Sequence, residues 1–382
     1  MNTTPADTNG KIVASAISLF SKRWYSSVSV AEICREAGVS NGIFYRYFLN
    51  KESLIRHILE DVITRIGIAL EGVQGKTSVE RLGTMASILV AFAAEQKERV
   101  IVFREGQYRF FEFEHRLAEL YRRTLSKALG RSVGMPEYLF AIGGIRFAGV
   151  RSALYGSHIS LPALGDMLAN GIFPGLAWDS EKVFGITVTP PPLSLEENAR
   201  ERLLRSGKRL FGERGFHEVN IHEITDAADL SVGSFYKYFP GKEAFYSELI
   251  DVAGRQVRHF ITANLSSGLN RLEREMQGIY LFGIFLSIDR WCYNIVREGE
   301  FVVPDKAREY YAAFERGYLK LGTDGLNAAK LESDPDHEST ALQFLLGISH
   351  YYGIELLFDG FGRGSRAVVE GIGTYLSRGL QE

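Results

Sequence analysis

The residues best suited to chemistry are two tyrosines and a lysine at a fixed spacing, and this set occurs twice. Tyr45, Tyr47 and Lys51 have counterparts of the same type 191 residues later, at positions 236, 238 and 242. Phenol hydroxyls and an ammonium group are hydrogen-bond donors at neutral pH. The chemistry that they support is binding, and the helices that carry them determine what could be bound.

Residue sets typical of enzymes are not found in the sequence. It has no Gly-x-Ser-x-Gly elbow, no paired-histidine metal motif and no phosphate-binding loop, and its eight histidines are scattered. Cys34 and Cys292 do not have the spacing of metal ligands. We therefore expect a protein that is not an enzyme, with no catalytic residues, no metal and no cofactor.

The repeated tyrosine and lysine set belongs to a duplicated segment. Shifted by 191 residues, positions 11–55 lie on 202–246 without a gap, and 16 of the 45 positions are identical. Between 40 and 52 the identity rises to 8 of 13 positions. A weaker match follows, including Arg104–Gly106 with Arg297–Gly299. The sequence therefore contains two copies of one module.

Each copy begins with the pattern of a helix-turn-helix. In the first copy, Ser29 with Glu32 three residues later is a capping box that starts a helix. A tight turn over Gly38–Ser40 then precedes a short helix over Asn41–Phe48, and Lys51 opens a further helix. The second helix of such a pair can enter a DNA major groove. The second copy repeats the pattern with Asn220 and Glu223, a turn at Asp229–Ser231, and Lys242.

Both segments resemble the DNA-binding head of the tetracycline-repressor-like (TetR/AcrR) family. The shared pattern is Ala37-Gly38-Val39-Ser40-x-Gly42-x-Phe44-Tyr45-x-Tyr47-Phe48-x-x-Lys51-Glu52. The rest of each copy resembles the family only in length and helical character. The resemblance implies a transcriptional regulator, most simply a repressor, whose partner is a double-stranded DNA operator.

The resemblance also implies a role for each residue of the head. The tyrosine hydroxyls and the lysine would contact phosphate, while Phe44 and Phe48 with their counterparts would be core. Gly42 and Gly233 would let a helix N-terminus approach phosphate. Bases would be read by the residues that differ between the copies, since Asn41 suits adenine, Arg46 suits guanine and Val232 makes only apolar contacts. The predicted DNA-binding residues are Ser29, Ser40, Asn41, Gly42, Ile43, Tyr45, Arg46, Tyr47, Lys51, Asn220, Ser231, Val232, Gly233, Ser234, Tyr236, Lys237, Tyr238 and Lys242.

The two heads differ in charge and in turn chemistry. The net charge is +4 over residues 11–56 but only +1 over residues 198–246, in a chain whose formal net charge is −2. Trp24 stands where the second copy has Gly215, and Asp229 replaces the turn glycine Gly38. Asp tolerates a left-handed turn better than most residues, but it adds negative charge. We therefore expect the second head to bind DNA more weakly.

The predicted fold is all-α, with two tandem TetR-like units that form an internal pseudo-dimer. Each unit would have a three-helix head and a helical ligand-binding and dimerisation domain. The predicted boundaries are a disordered tail over 1–10, heads over 11–56 and 196–247, regulatory domains over 57–175 and 248–382, and a linker over 176–195. Pairing is expected between the helices near 136–156 and 161–171 and their counterparts near 340–358 and 365–380.

Aromatic clusters in the regulatory domains have two interpretations. They could be core packing, or they could line a pocket for a small apolar or aromatic effector, with Arg104 or Arg297 holding an acidic group. The candidate ligand-binding residues are Phe103, Arg104, Tyr108, Trp291, Arg297, Tyr311 and Tyr351.

The leading functional hypothesis is an effector-controlled repressor whose two heads bind an imperfect palindrome. The alternative is a ligand-sensing or partner-binding module in which one or both heads have lost DNA binding. The chain could act as a monomeric pseudo-dimer or as a dimer of such chains. No apolar stretch reaches the length of a membrane span, so we expect a cytoplasmic protein with no membrane partner.

Overall fold

The computed structural model describes residues 5–191, 198–321, 323–359 and 365–381, which form α-helices with short connections and no strand. The protein is all-α and is built from two tandem copies of the same order of helices. The chain divides into two compact units, Met1–Val133 with Ala148–Leu161, and Gly134–Phe147 with Pro162–Glu382. A short segment of the first copy therefore belongs to the same compact unit as the second copy.

The helices of the first copy are α1 (Pro5–Phe20), α2 (Val30–Ala37), α3 (Asn41–Tyr47), α4 (Lys51–Leu70), α5 (Ser78–Glu95), α6 (Lys97–Arg109), α7 (Phe111–Leu129), α8 (Met135–Tyr138), α9 (Gly144–Tyr155) and α10 (Leu161–Asn170). A π-helical stretch, Leu139–Gly143, joins α8 to α9. A short helix, α11 (Ser180–Phe184), follows. The helices of the second copy are α12 (Ala199–Arg214), α13 (Ile221–Ala227), α14 (Val232–Tyr238), α15 (Lys242–Asn264), α16 (Arg271–Ile288), α17 (Arg290–Val302), α18 (Pro304–Leu319), α19 (Ala328–Ser333), α20 (His337–Asp359) and α21 (Ser365–Arg378).

The first helix starts earlier than the sequence predicts. α1 begins at Pro5, inside the segment predicted as a disordered tail, and residues 1–4 lie outside the described residues. Proline is favoured in the first turn of a helix because its missing N–H would have no partner there. Thr8 is buried, so contacts with the protein hold this turn where composition alone indicated none.

The last helix of each head runs on into the regulatory part. α4 continues through the predicted boundary at residue 56, and α15 continues through the boundary at residue 247. Apolar residues along α4 are buried from Leu54 to Leu70. One continuous helix therefore belongs to both parts of each copy.

The predicted pairing helices meet inside the second compact unit, where residues of the first copy contact their own counterparts. Phe140 and Phe344 have ring centroids 5.2 Å apart. A Cβ added at Gly347 would lie 2.4 Å from the carbonyl oxygen of Gly143, so the two backbones touch. Contact of a residue with its own equivalent is the property of a two-fold interface. The internal pairing expected from the sequence is therefore present in one chain.

The segment predicted as an extended linker over 176–195 contains α11. Asp179 caps this helix by accepting hydrogen bonds from the backbone N–H groups of Glu181 and Lys182. Val183 is fully buried, and its carbonyl oxygen accepts a hydrogen bond from Gln277 at 3.0 Å. The early part of this segment therefore packs on α16, and residues 192–197 lie outside the described residues.

No single helix of the described residues is long and apolar enough to span a membrane, although α16 and α17 meet that composition test together as a pair bent by 102°.

Candidate nucleic-acid interface

The turn of the first head is built by local capping. The Ser29 hydroxyl accepts from the N–H of Glu32, whose carboxylate accepts from the N–H of Ser29 in return, so α2 starts with the predicted capping box. α2 ends at Gly38, which has φ +66° in the left-handed region. Ser40 then caps α3 by accepting from the N–H of Ile43. These three signals fix the angle at which α3 leaves α2.

The second head repeats this geometry with a different residue at the strained position. Asn220 and Glu223 form the capping box of α13, and Ser231 caps α14. Asp229 takes the place of Gly38 and has φ +53°, the one positive value at a non-glycine residue among those described. The predicted left-handed aspartate is confirmed. Such a conformation costs a non-glycine residue about 1–2 kcal/mol.

Trp24 changes the end of the first helix, as the sequence predicts. Its φ is −52°, and the chain continues into a single 3-10 turn over Tyr25–Ser27. At the same place in the second copy, Gly215 has φ +87°. The glycine conformation is therefore avoided in the first head by a different path of the chain.

The aromatic residues of α3 and α14 fall into two groups, one buried in the core and one at the surface. Phe44 and Phe48 are buried, as are Phe235 and Phe239, which confirms the prediction that they are core. By contrast, 58% of Tyr45, 54% of Tyr236 and 44% of Tyr238 is exposed, while Tyr47 is half-buried. The DNA contact predicted for these tyrosines stays a prediction.

The residues that differ between the heads lie on the same outer face. Asn41, Gly42 and Arg46 are exposed and Ile43 is half-buried, and in the second head Gly233 and Lys237 are exposed while Val232 and Ser234 are half-buried. A Cβ added at Gly42 would meet only the Ser40 hydroxyl, at 3.9 Å. The protein itself therefore leaves room for a side chain here, and any need for glycine would come from a bound partner.

Lys51 and Lys242 each stabilise their own head by hydrogen bonds to backbone carbonyl oxygens. The Lys51 ammonium donates to the carbonyl oxygens of Tyr25 and Val28 at 2.8 and 2.7 Å, and it lies 4.4 Å from the centre of the Tyr25 ring. In the second head, Lys242 donates to the carbonyl oxygen of Val219 at 2.6 Å. Burial lowers the pKa of both lysines. The phosphate contact predicted for them stays a prediction, and tertiary contacts invisible in the sequence give both a structural role.

An ion pair occurs at equivalent positions in the two heads. Arg23 and Glu32 are 2.7 Å apart, and Arg214 and Glu223 are 2.6 Å apart. The bond to Arg23 is the largest cause that holds the pKa of Glu32 at about 2. Arg23 follows α1, Arg214 ends α12, and each glutamate lies in the first turn of the next helix, so each pair joins the first two helices of its head.

The repeated Arg-Glu-Gly sequence connects the regulatory part to the head. Glu105 on α6 accepts a hydrogen bond from the backbone N–H of Tyr25 at 2.6 Å. Its counterpart Glu298 on α17 accepts from the N–H of Phe216 at 2.8 and 2.9 Å.

The glycines that follow these glutamates allow a close approach to the long helices of the heads. A Cβ added at Gly106 would lie 2.7 Å from Leu59, and one added at Gly299 would lie 2.4 Å from Ile250. We call each glutamate with its glycine a latch. The sequence match marked these residues as a pair but gave no indication of what they contact.

A cavity of about 340 Å³ lies in the second copy among α15, α16, α17, α18 and α20. Of the candidate ligand-binding residues, Tyr311 lines it. Trp291 instead packs on Gly212 of α12, and Arg297 is fully buried away from the cavity walls. Trp291 therefore lies on the side of α17 that faces the head.

The remaining candidate ligand-binding residues also lie elsewhere. Phe103 and Arg104 are buried in the first copy. Tyr351 contacts Arg146 in the pairing region, at 4.6 Å from the ring centre. The side chain of Tyr108 lies outside the described residues. Neither Arg104 nor Arg297 lines this cavity, and their role as the anchor for an acidic group stays a prediction.

Comparison with known proteins supports the family of both heads. The model of the family described as bacterial regulatory proteins, tetR family, matches residues 12–58 and 203–249. The chain is 40% identical over 73 residues to the uncharacterized HTH-type transcriptional regulator YdgC of Bacillus subtilis, covering 19% of this chain and 37% of that protein. It is 36% identical over 73 residues to the HTH-type transcriptional repressor NemR of Escherichia coli, with the same shares. The chain thus spans less than half the length of these relatives.

Solved structures are also similar to part of the chain. A TetR-like transcriptional regulator from Rhodococcus sp. RHA1 has 19% identity and a TM-score of 0.38, with 48% of this chain and 97% of that chain covered. The fatty acid degradation regulator FadR from Bacillus halodurans has 15% identity and a TM-score of 0.37, with 48% and 96% covered. The model of the tetR family of bacterial regulatory proteins thus matches this chain twice, once at each head.

Proposed function

We propose that the protein is a DNA-binding transcriptional regulator, an effector-controlled repressor whose two heads contact one operator. The observation that carries the proposal is the outer face of α3 and α14. There, tyrosines are exposed beside Arg46 and Lys237, while the phenylalanines that precede and follow them are buried. Exposed hydroxyl and cationic groups, here in the last turn of each short helix, suit phosphate contacts. The helix-turn-helix geometry of each head suits insertion into a major groove.

The two heads would read different half-sites. Asn41, Ile43 and Arg46 face outward in the first head, where the second has Val232, Ser234 and Lys237. Bidentate pairing of Asn with adenine and of Arg with guanine has no equivalent in Val or Ser. The operator would therefore be an imperfect palindrome, and the second half-site would be bound more weakly because Asp229 adds negative charge beside it.

A change caused by a bound effector would reach each head through its latch, which is Glu105 with Gly106 in the first copy and Glu298 with Gly299 in the second. Glu105 and Glu298 tie the start of the helix-turn-helix in each head to α6 and α17. The cavity in the second copy contacts α17 and α15, so an effector that favours one arrangement of these helices changes the position of the second head. One chain would supply both heads as a pseudo-dimer, and two chains could also assemble on one operator.

Binding of the full chain to labelled promoter fragments, measured by fluorescence anisotropy at several salt concentrations, tests the proposal. The logarithm of the affinity should fall linearly with the logarithm of salt, because phosphate contacts release counterions. Arg46→Gln and Lys237→Gln should each weaken binding and reduce the slope. Lys76→Gln, at an exposed lysine outside the heads, is the matched control and should change neither.

Two outcomes would count against the proposal. A slope near zero, or no binding at low salt, would remove DNA binding and favour the ligand-sensing or partner-binding alternative. Footprinting that shows a strictly symmetric site, contacted equally by both heads, would remove the imperfect palindrome while leaving DNA binding in place. Light scattering of the chain, free and on DNA, gives the number of chains on an operator.

A further inference from the structure

The walls of the second-copy cavity are mainly aromatic. Six rings face it, and they come from three helices: Phe282, Tyr293, Tyr310, Tyr311, Phe314 and Tyr318. At about 340 Å³, the space falls in the range of cavities that hold small organic ligands, roughly 300–1,000 Å³. Aromatic rings attract one another in stacked or edge-to-face arrangements, and this attraction adds to the stabilisation that comes from burial. The walls therefore suit a flat aromatic body.

Two glycines keep this space open. Gly278 on α16 and Gly317 on α18 line the cavity, and a Cβ added at either would meet no atom within 4 Å. Elsewhere in this copy, glycines serve close packing, as at Gly299, where an added Cβ would lie 2.4 Å from Ile250. At Gly278 and Gly317 the missing side chains border empty space instead.

The charged residues of the walls leave an excess of positive charge. Arg258 on α15 and Arg274 on α16 line the cavity, and neither guanidinium takes part in an ion pair among the described residues. The acidic wall residue Glu275 is buried and already paired with Arg271 at 2.8 Å. It also accepts a hydrogen bond from Tyr318, and the charge of Arg274 acts on it without a direct ion pair among the described residues.

The surroundings of Arg258 are those of a cation that lacks an anion. Its guanidinium lies 5.5 Å from the centre of the Phe314 ring. Burial is the largest cause that lowers the pKa of Arg258, and the nearby positive charges of Arg316 and Arg255 act in the same direction. Arginine remains charged in proteins, and a planar carboxylate matches its two parallel N–H donors. A bound carboxylate would supply the missing partner.

We propose that the cavity of the second copy binds an aromatic carboxylate, with its ring among the wall tyrosines and phenylalanines and its carboxylate on Arg258, assisted by Arg274. The inference rests on the effector control proposed above and names the chemical class of the effector. It also moves the acid-binding role from Arg297, which the sequence suggested, to two arginines on the neighbouring helices.

The test is calorimetric titration of the full chain, without DNA, with three probes that share one ring system. Naphthoate should bind once per chain. Naphthamide, its neutral isostere, should bind about ten- to hundredfold more weakly, as expected when a hydrogen bond to a charged group is replaced. Protonated naphthylmethylamine should bind more weakly still. Equal binding of acid and amide, or no saturable binding of naphthoate at millimolar concentration, would overturn the proposal.

Variants separate the anchor from the cavity. Arg258→Gln should remove the preference for acid over amide, and Arg258→Lys should restore part of it. Arg255→Gln is the matched control, since Arg255 is on the same helix with its side chain 61% exposed, and it should keep the preference. Gly278→Leu should abolish binding of both probes by filling the space. Its circular dichroism spectrum and melting curve would show whether the chain still folds, and an Arg258→Gln variant that keeps the full preference would overturn the anchor.

A separate titration on promoter DNA distinguishes this inference from the proposed function. If naphthoate binds with the expected preference but leaves DNA affinity unchanged, the cavity assignment holds and effector control fails. If other small molecules release DNA while no probe binds, effector control holds and the aromatic carboxylate is refuted.

Discussion

A reciprocal exchange at the turn of each head tests the physical origin of their difference. Gly38 and Asp229 occupy the same turn with φ of +66° and +53°. The hydrogen bonds around them are also equivalent, since Val39 donates to the carbonyl of Cys34 and Leu230 to that of Thr225, both at 2.9 Å. The perturbations are Gly38→Asp and Asp229→Gly, each of which places the residue of one head in the other.

The magnitude follows from two opposing terms. A left-handed backbone costs a non-glycine residue about 1–2 kcal/mol, and aspartate falls at the lower end because it tolerates this region. Glycine at the same position loses more freedom on folding, which offsets about 0.4–1 kcal/mol of that advantage. A Cβ added at Gly38 meets no atom within 4 Å, so packing adds nothing to the cost. The net effect should be about 0.6 kcal/mol or less, destabilising for Gly38→Asp and stabilising for Asp229→Gly.

Amide hydrogen exchange of the full chain measures this locally, because a chain with two compact units has no single unfolding free energy. Peptides over α13 and α14 should exchange up to about threefold more slowly in Asp229→Gly. Peptides over α2 and α3 should exchange faster in Gly38→Asp by a similar factor, and in each variant the unmodified head is an internal control. Slower exchange of α2 and α3 in Gly38→Asp, or faster exchange of α13 and α14 in Asp229→Gly, would refute the reasoning.

Four other expectations follow from the structure. Glu298→Gln should destabilise the contact between α17 and the second head by about 1–3 kcal/mol, seen as faster exchange of α13, because the buried carboxylate accepts from a backbone N–H. Gly347→Val should disrupt the pairing region and lower the melting temperature, since its side chain would meet backbone at 2.4 Å. Glu32 has a pKa of about 2 against an ordinary value of 4.5. The stabilisation that its ionised carboxylate gives the folded chain is therefore fully present above pH 4.5 and is lost as the pH falls toward 2. Glu32→Gln should remove that part of the acid sensitivity in a circular dichroism titration. Burial raises the pKa of Cys34 and Cys292, so a thiol reagent should modify both slowly in the folded chain and rapidly in denaturant.

The heads could be predicted because their signals are local. A capping box needs residues three apart, and both boxes form as the sequence indicates. The left-handed turn was marked by a glycine in one copy and an aspartate in the other, and both have positive φ. The phenylalanines and tyrosines stand at the same positions in both copies, and the resemblance to the family implied that the phenylalanines are core and the tyrosines are surface residues.

The cavity could not be predicted because its walls come from distant segments. Arg258 and His350 both line it, although 92 residues separate them in the sequence. The repeated motif favoured Arg297 as a ligand-binding residue, yet its side chain is fully buried. The internal role of Lys51 was missed for the same reason, since the carbonyls that it binds lie on a loop 26 and 23 residues earlier.

Covalent duplication explains how these differences can coexist. In a homodimer, any change in the turn, the base-reading residues or the cavity appears in both halves, because one sequence encodes both. Here the pairing contacts have kept equivalence, with Phe140 on Phe344 and Gly143 against Gly347, while Gly38 and Asp229 have diverged. The pairing surface is constrained because each change must fit its counterpart, whereas under the proposed function the outer face of each head would contact only its own half-site. Divergence should therefore concentrate on α3 against α14 and on the cavity walls, which is where the two copies can acquire separate tasks without separating from each other.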